Sequence, residues 1–80
     1  MAFVKNLERD TTSIRGIHPT TVPCRYMVGL ADGTKIIQLN TYGSEDRVVT
    51  GQYSQTLQFN EETALQLYRA LRSAFDFKDE

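Results

Sequence analysis

Asp32-Gly33 lies between two apolar runs, and this pair constrains the fold more than any other feature. Glycine accepts positive φ without steric cost, so Asp-Gly between two such runs marks a β-hairpin. Arg25 to Ala31 reads as the outgoing strand, with Tyr26, Val28 and Leu30 on one face. Thr34 to Tyr42 is the returning strand. Ile37 and Leu39 join Val28 and Leu30 on the core side, and Gln38, Asn40 and Tyr42 point the other way.

The flanks extend this hairpin. Met1 to Asp10 carries Phe3, Val4 and Leu7 among charges and reads as an arm or a frayed strand. Thr11 to Ile17 is β-branched and predicts a short strand. His18-Pro19-Thr20-Thr21-Val22-Pro23 then breaks regular structure twice, because each proline lacks a donor and restricts the residue before it. Gly43 to Gln52 is a polar loop, and Tyr53 to Phe59 the next strand, with Leu57 and Phe59 inward and Thr56 and Gln58 outward. Asn60 is a helix N-cap, and Glu61 and Glu62 suit the positive end of the helix dipole. Ala64, Leu67, Tyr68, Leu71, Ala74 and Phe75 recur at helical spacing and form one sheet-facing stripe, and Asp76 to Glu80 is a frayed tail. The expected fold is α+β: a single domain over residues 1–80, with a four-stranded antiparallel sheet followed by one C-terminal helix. One helix covers one sheet face. The other is left to water, a second subunit or a ligand.

Composition limits the function. Eighty residues with a formal net charge of −1 make one small domain without the basic excess usual in nucleic-acid binders. No apolar run approaches the roughly 20 residues of a membrane-spanning helix, and Lys5, Glu8, Arg9 and Asp10 interrupt any signal-peptide pattern at the start. The single cysteine, Cys24, excludes an internal disulfide framework and a Cys-rich zinc site, and the expected compartment is a reducing cytoplasm. His18 reads as a solvated turn residue, because no clustered acid, thiol or second histidine supports a base or a ligand role. Cys24 reads as a small buried residue rather than a nucleophile, and Glu45-Asp46 as a solvated loop pair. The glycines form no phosphate-cradling motif. These readings predict no enzyme, metal or cofactor.

The outward sheet face is more informative. It carries Arg25, Met27, Gln38, Asn40, Tyr42, Thr56 and Gln58, almost without acids. Lys35 falls on the core-side parity beside the turn, and Arg15 and Arg47 flank the face if their loops return toward it. Amides and hydroxyls contact bases, aromatics such as Tyr42 and Tyr53 stack on them, and arginines pair with phosphates. An ordinary solvated sheet face has the same pattern, so spacing alone leaves both readings open.

Arg25 to Val28 and Asp32 to Tyr42, followed by the strand and capped helix that start near Gly51 and Asn60, resemble the positive cofactor four family of single-stranded-DNA-binding transcriptional coactivators, with relatives in bacteria and phages. The resemblance covers about residues 25 to 75 and is one of topology more than of motif. It implies a β-β-β-β-α protomer with a curved sheet, and a homodimer packed partly through the helices. Gly33, Thr34 and Lys35 match a basic turn of that family, and Tyr42 matches the aromatic end of its strand. Asn40 stands where the family often has arginine. Gln52 to Gln55 replaces a basic pair, and Ala64 or Leu65 replaces a tryptophan.

Together these readings predict a homodimeric single-stranded-DNA-binding protein of replication, recombination or transcription, in the cytoplasm of a bacterium or a phage-infected host. Its contacts would be Arg15, Arg25, Lys35, Gln38, Asn40, Tyr42, Arg47 and Tyr53. The alternative is a protein-interaction module of the same fold, such as a phage or plasmid accessory protein that binds a host factor. Clustering of the cations on one sheet face favours DNA, and dispersal favours a protein partner.

Overall fold

The computed structural model describes residues 1–43 and 54–78. In chain order the elements are β1 (Ala2–Phe3), β2 (Cys24–Ala31), β3 (Thr34–Thr41), β4 (Gln55–Phe59) and α1 (Glu61–Phe75). The four strands form one sheet in the order β1-β4-β3-β2. The loop expected over Gly43 to Gln52 falls almost wholly on residues 44–53, outside the described residues.

The hairpin forms where Asp32-Gly33 places it. Asp32 has φ 52° and Gly33 φ 77°, and Ala31 pairs with Thr34 across them. Two successive left-handed residues give the turn whose twist matches that of the strands it joins. β2 and β3 stay in register along their whole length, from Ala31 opposite Thr34 to Cys24 opposite Thr41. β4 pairs antiparallel with β3, Ile37 opposite Phe59 and Asn40 opposite Thr56.

The sheet is mixed and not purely antiparallel. Its fourth strand is the N-terminal Ala2–Phe3, which runs parallel to β4, with Ala2 opposite Leu57. Thr11 to Ile17, expected to be a strand, is exposed and belongs to no strand. Its β-branched residues favour extended backbone, but Gly16 weakens a strand interior and the prolines at 19 and 23 interrupt any direct hairpin onto β2. The chain is instead tied down near its start. The Val4 N–H donates to the Gln58 carbonyl at 2.8 Å, and the Leu7 N–H donates to the Gln66 side-chain oxygen at 3.0 Å. Farther on, Asp10 accepts from the Thr12 N–H at 2.7 Å, and this bond, with the Thr12 hydroxyl, holds the Asp10 carboxyl below the usual carboxylate range.

α1 begins as its sequence requires. The Asn60 side chain accepts from the Thr63 N–H at 2.9 Å, and the Thr63 hydroxyl accepts from the Asn60 N–H at 3.1 Å. Thr63 plays the reciprocal part that glutamate commonly plays in a capping box. Glu61 and Glu62 lie in the first turn, and Asp76, with φ 56°, closes the helix in the left-handed conformation. Asn60→Ala is expected to cost about 1 kcal/mol, read as a lower denaturant midpoint at unchanged slope.

The helix covers only part of its sheet face. Thr63 is buried and Ala64 and Leu67 are half-buried, but Tyr68, Leu71 and Phe75 are exposed, so the expected apolar stripe is covered only in its first half. Phe59, 4 % exposed, is the sole buried apolar side chain among the described residues. Tyr26 and Leu30, on the same sheet face, are 70 % and 76 % exposed. The chain exposes 7633 Å², whereas a compact monomer of 9.1 kDa exposes about 4,900 Å². Its radius of gyration is 14.7 Å, against about 11.6 Å for a compact chain of this length. No helix among the described residues is long and apolar enough to cross a membrane.

Candidate nucleic-acid interface

Strand alternation builds the sheet face opposite α1. The two registers align Arg25, Asn40 and Thr56 in one row across β2, β3 and β4, and Met27, Gln38 and Gln58 in the next. The polar members bond to one another. The Gln58 Nε2 donates to the Gln38 Oε1 at 2.8 Å, and the Gln38 Nε2 donates to the Asn40 Oδ1 at 2.7 Å. The Thr56 hydroxyl donates to the same Asn40 oxygen at 3.3 Å. Asn40 is 0 % exposed, and its Nδ2 has no hydrogen-bond partner. A buried amide donor left unmade costs stability, so this atom is a polar group in want of an acceptor.

Beside this ladder, the Arg25 guanidinium lies over the Tyr42 ring, 5.4 Å from its centroid. The Tyr42 N–H donates to the Pro23 carbonyl at 3.2 Å, which fixes the end of the strand. Arginine stacked on an aromatic leaves its N–H fork free to turn toward a phosphate or a base edge. Among the described residues this face carries no carboxylate. Two shallow depressions open on it. One, of about 250 Å³, lies between β1 and Gln38, Thr56 and Gln58. The other, of about 200 Å³, is lined by Met27, Ile36, Gln38 and Gln58.

The structure thus brings together Arg25, Gln38, Asn40 and Tyr42 of the expected contacts. Asn40 is not presented to solvent; it anchors Gln38 and Thr56 from within. Lys35 is on the helix side of the sheet, beside Val28, Ile37 and Phe59 around an apolar depression of about 320 Å³. Arg15 is exposed on the irregular segment before β2, and Arg47 and Tyr53 lie outside the described residues. The densest group of described cations is elsewhere. Arg69, Arg72 and Lys78, with the carboxylate of Asp76 among them, line an open trough of about 900 Å³ with Leu65, Tyr68 and Phe77 along α1. Sequence reasoning treated this segment as a packing helix; the signal it passed over was arginine at i and i+3 on one helix face. Cys24 is exposed, not buried as expected, because among the described residues the outer edge of β2 has no neighbouring strand.

Comparisons with protein-family models, with curated proteins and with solved structures find no match.

Proposed function

We propose that the protein binds unpaired nucleic acid, as single-stranded DNA, on the amide face of its sheet, and that it works as a homodimer without catalysis. The observation that carries this is the Arg25–Tyr42 stack beside a ladder, acid-free among the described residues, in which buried Asn40 anchors the half-buried Gln38 and, through it, Gln58. Aromatic stacking is sequence-tolerant, and amides meet base edges that only an unpaired strand presents. The helix has no continuous basic stripe to enter a major groove: Glu61 and Glu62 open it, and its arginines lie only in the second half.

Arg25 is the one described cation on this face, so phosphate contacts are few. The logarithm of the affinity should fall with the logarithm of salt concentration at a shallow slope, about −1.4 for a pair of protomers contributing one arginine each. In a fluorescence-anisotropy titration, an unpaired oligonucleotide should bind more tightly than its duplex, and equal affinities would refute the assignment. The homodimer is supported by uncovered apolar side chains: Tyr26, Val28 and Leu30 on β2 and Tyr68, Leu71 and Phe75 on α1 are 41–76 % exposed, the kind of apolar surface that marks an interaction site.

A protein-interaction module of the same fold is the second reading, and one observation favours it. The described cations are dispersed over the segment before β2, the hairpin, the amide face and α1 rather than gathered on one face. Absence of any oligonucleotide binding at low salt would select it.

A further inference from the structure

The two edges of the sheet are treated differently. β1 and the Val4 bond cover the outer side of β4, whereas among the described residues β2 pairs with β3 alone, and it is exposed along all eight residues. An open edge is a template for pairing, and proteins usually blunt it with charges, a proline or a bulge. β2 has none of these inside it except Arg25, and its register with β3 is unbroken.

Its hydrogen-bonding groups can be assigned. The Tyr42 N–H bonds to the Pro23 carbonyl, and bonded pairs recur every second residue in an antiparallel ladder. Arg25, Met27, Gly29 and Ala31 therefore turn their backbone groups toward β3. Cys24, Tyr26, Val28 and Leu30 turn theirs outward, where no described residue bonds to them.

We propose that β2 pairs antiparallel with β2 of a second copy, so that the dimer holds one continuous eight-stranded sheet. This rests on the homodimer reading above and specifies its junction. A two-fold axis normal to the sheet keeps both amide faces on one side and both helices on the other. The outward groups allow the axis to pass at Met27 or at Val28. Arg25 then faces the partner's Gly29 or the partner's Ala31, and no like charges oppose. The pairing joins the bare strips of Tyr26, Val28 and Leu30 into one apolar floor, over which the exposed Tyr68 and Leu71 of both helices can close. It also sets the two Arg25–Tyr42 stacks on one surface, with the arginines about 14 to 20 Å apart along the strand direction. An unpaired strand could then cross both copies in one groove.

Hydrogen exchange on the intact chain tests this. At concentrations where light scattering gives the mass of two chains, the Tyr26, Val28 and Leu30 amides should exchange about tenfold or more slowly than in the diluted monomer. Unprotected amides in a proven dimer would overturn the edge pairing and leave the homodimer standing. A monomer mass at every concentration would overturn both. Protection independent of concentration would show that the chain's own residues 11–17 occupy the edge, which also overturns it. Val28→Pro supplies a second readout. It deletes an N–H that the protomer does not use, so the β2–β3 hairpin should persist while the mass halves; Met27→Pro should break the hairpin itself. A Val28→Pro protein that remains folded and dimeric would contradict the proposal.

Discussion

Replacing Phe59 by alanine is expected to remove the cooperative thermal transition, or to lower its midpoint by roughly 15 °C or more. Phe59 sits opposite Ile37 at the end of β4, one residue before the helix cap, and is the described apolar side chain that the fold buries most completely. Truncating a buried phenylalanine costs about 3–5 kcal/mol. A chain of this size has a total stability of about 4–12 kcal/mol, and each kcal/mol moves the midpoint by roughly 4–8 °C. The loss therefore takes a large part of what holds β4 and α1 together. Ile14→Ala is the matched control, because that side chain is almost wholly exposed and its removal should leave the midpoint within a degree or two. Circular dichroism melts of the two variants decide the matter. If Phe59→Ala melts like the parent, the centre of stability is the uncovered apolar strip of β2 and α1, closed by a second chain.

The difference between these two residues shows how far the sequence could be read. Asp32-Gly33, the apolar runs on either side of it, and Asn60 followed by two glutamates act locally, through left-handed backbone and orphan amides. The hairpin and the helix start accordingly appear where those residues placed them. The strand register also holds, which is why Arg25, Gln38, Asn40 and Tyr42 share one face. What failed depended on long-range competition. Thr11 to Ile17 has the composition of a strand, yet the edge of β4 is taken by two N-terminal residues that no periodicity distinguishes, and among the described residues the edge of β2 is left open. The helical stripe was visible as a pattern. How much of it the sheet covers depends on where α1 leaves β4, and that is a property of packing. The burial of Asn40 was equally hidden: parity put it on the outward face, and only its bonds to Gln38 and Thr56 show it as the buried anchor of a ladder.

Tyr42→Ala should weaken binding of an unpaired oligonucleotide about tenfold or more, since a base stacked on an aromatic ring is worth roughly 1–3 kcal/mol. The ring is half-buried, so the variant should keep its fold with a modest fall in melting temperature. Arg25 shares this site, because its guanidinium lies against the same ring. Removing Tyr42 therefore also releases the arginine from its stacked position, and Arg25→Ala should cost less in the Tyr42→Ala background than in the parent. A double-mutant cycle measures that difference, and neighbours that act together couple by about 0.5–3 kcal/mol. Anisotropy titrations of the four proteins give the affinities, and their salt slopes separate the two roles. Arg25→Ala should flatten the slope, whereas Tyr42→Ala should lower affinity at every salt concentration. The competing structural role predicts the reverse pattern. If Tyr42→Ala melts far below the parent while its folded fraction binds DNA unchanged, the ring serves the Pro23 end of the strand, and the amide face is not where an unpaired strand is held.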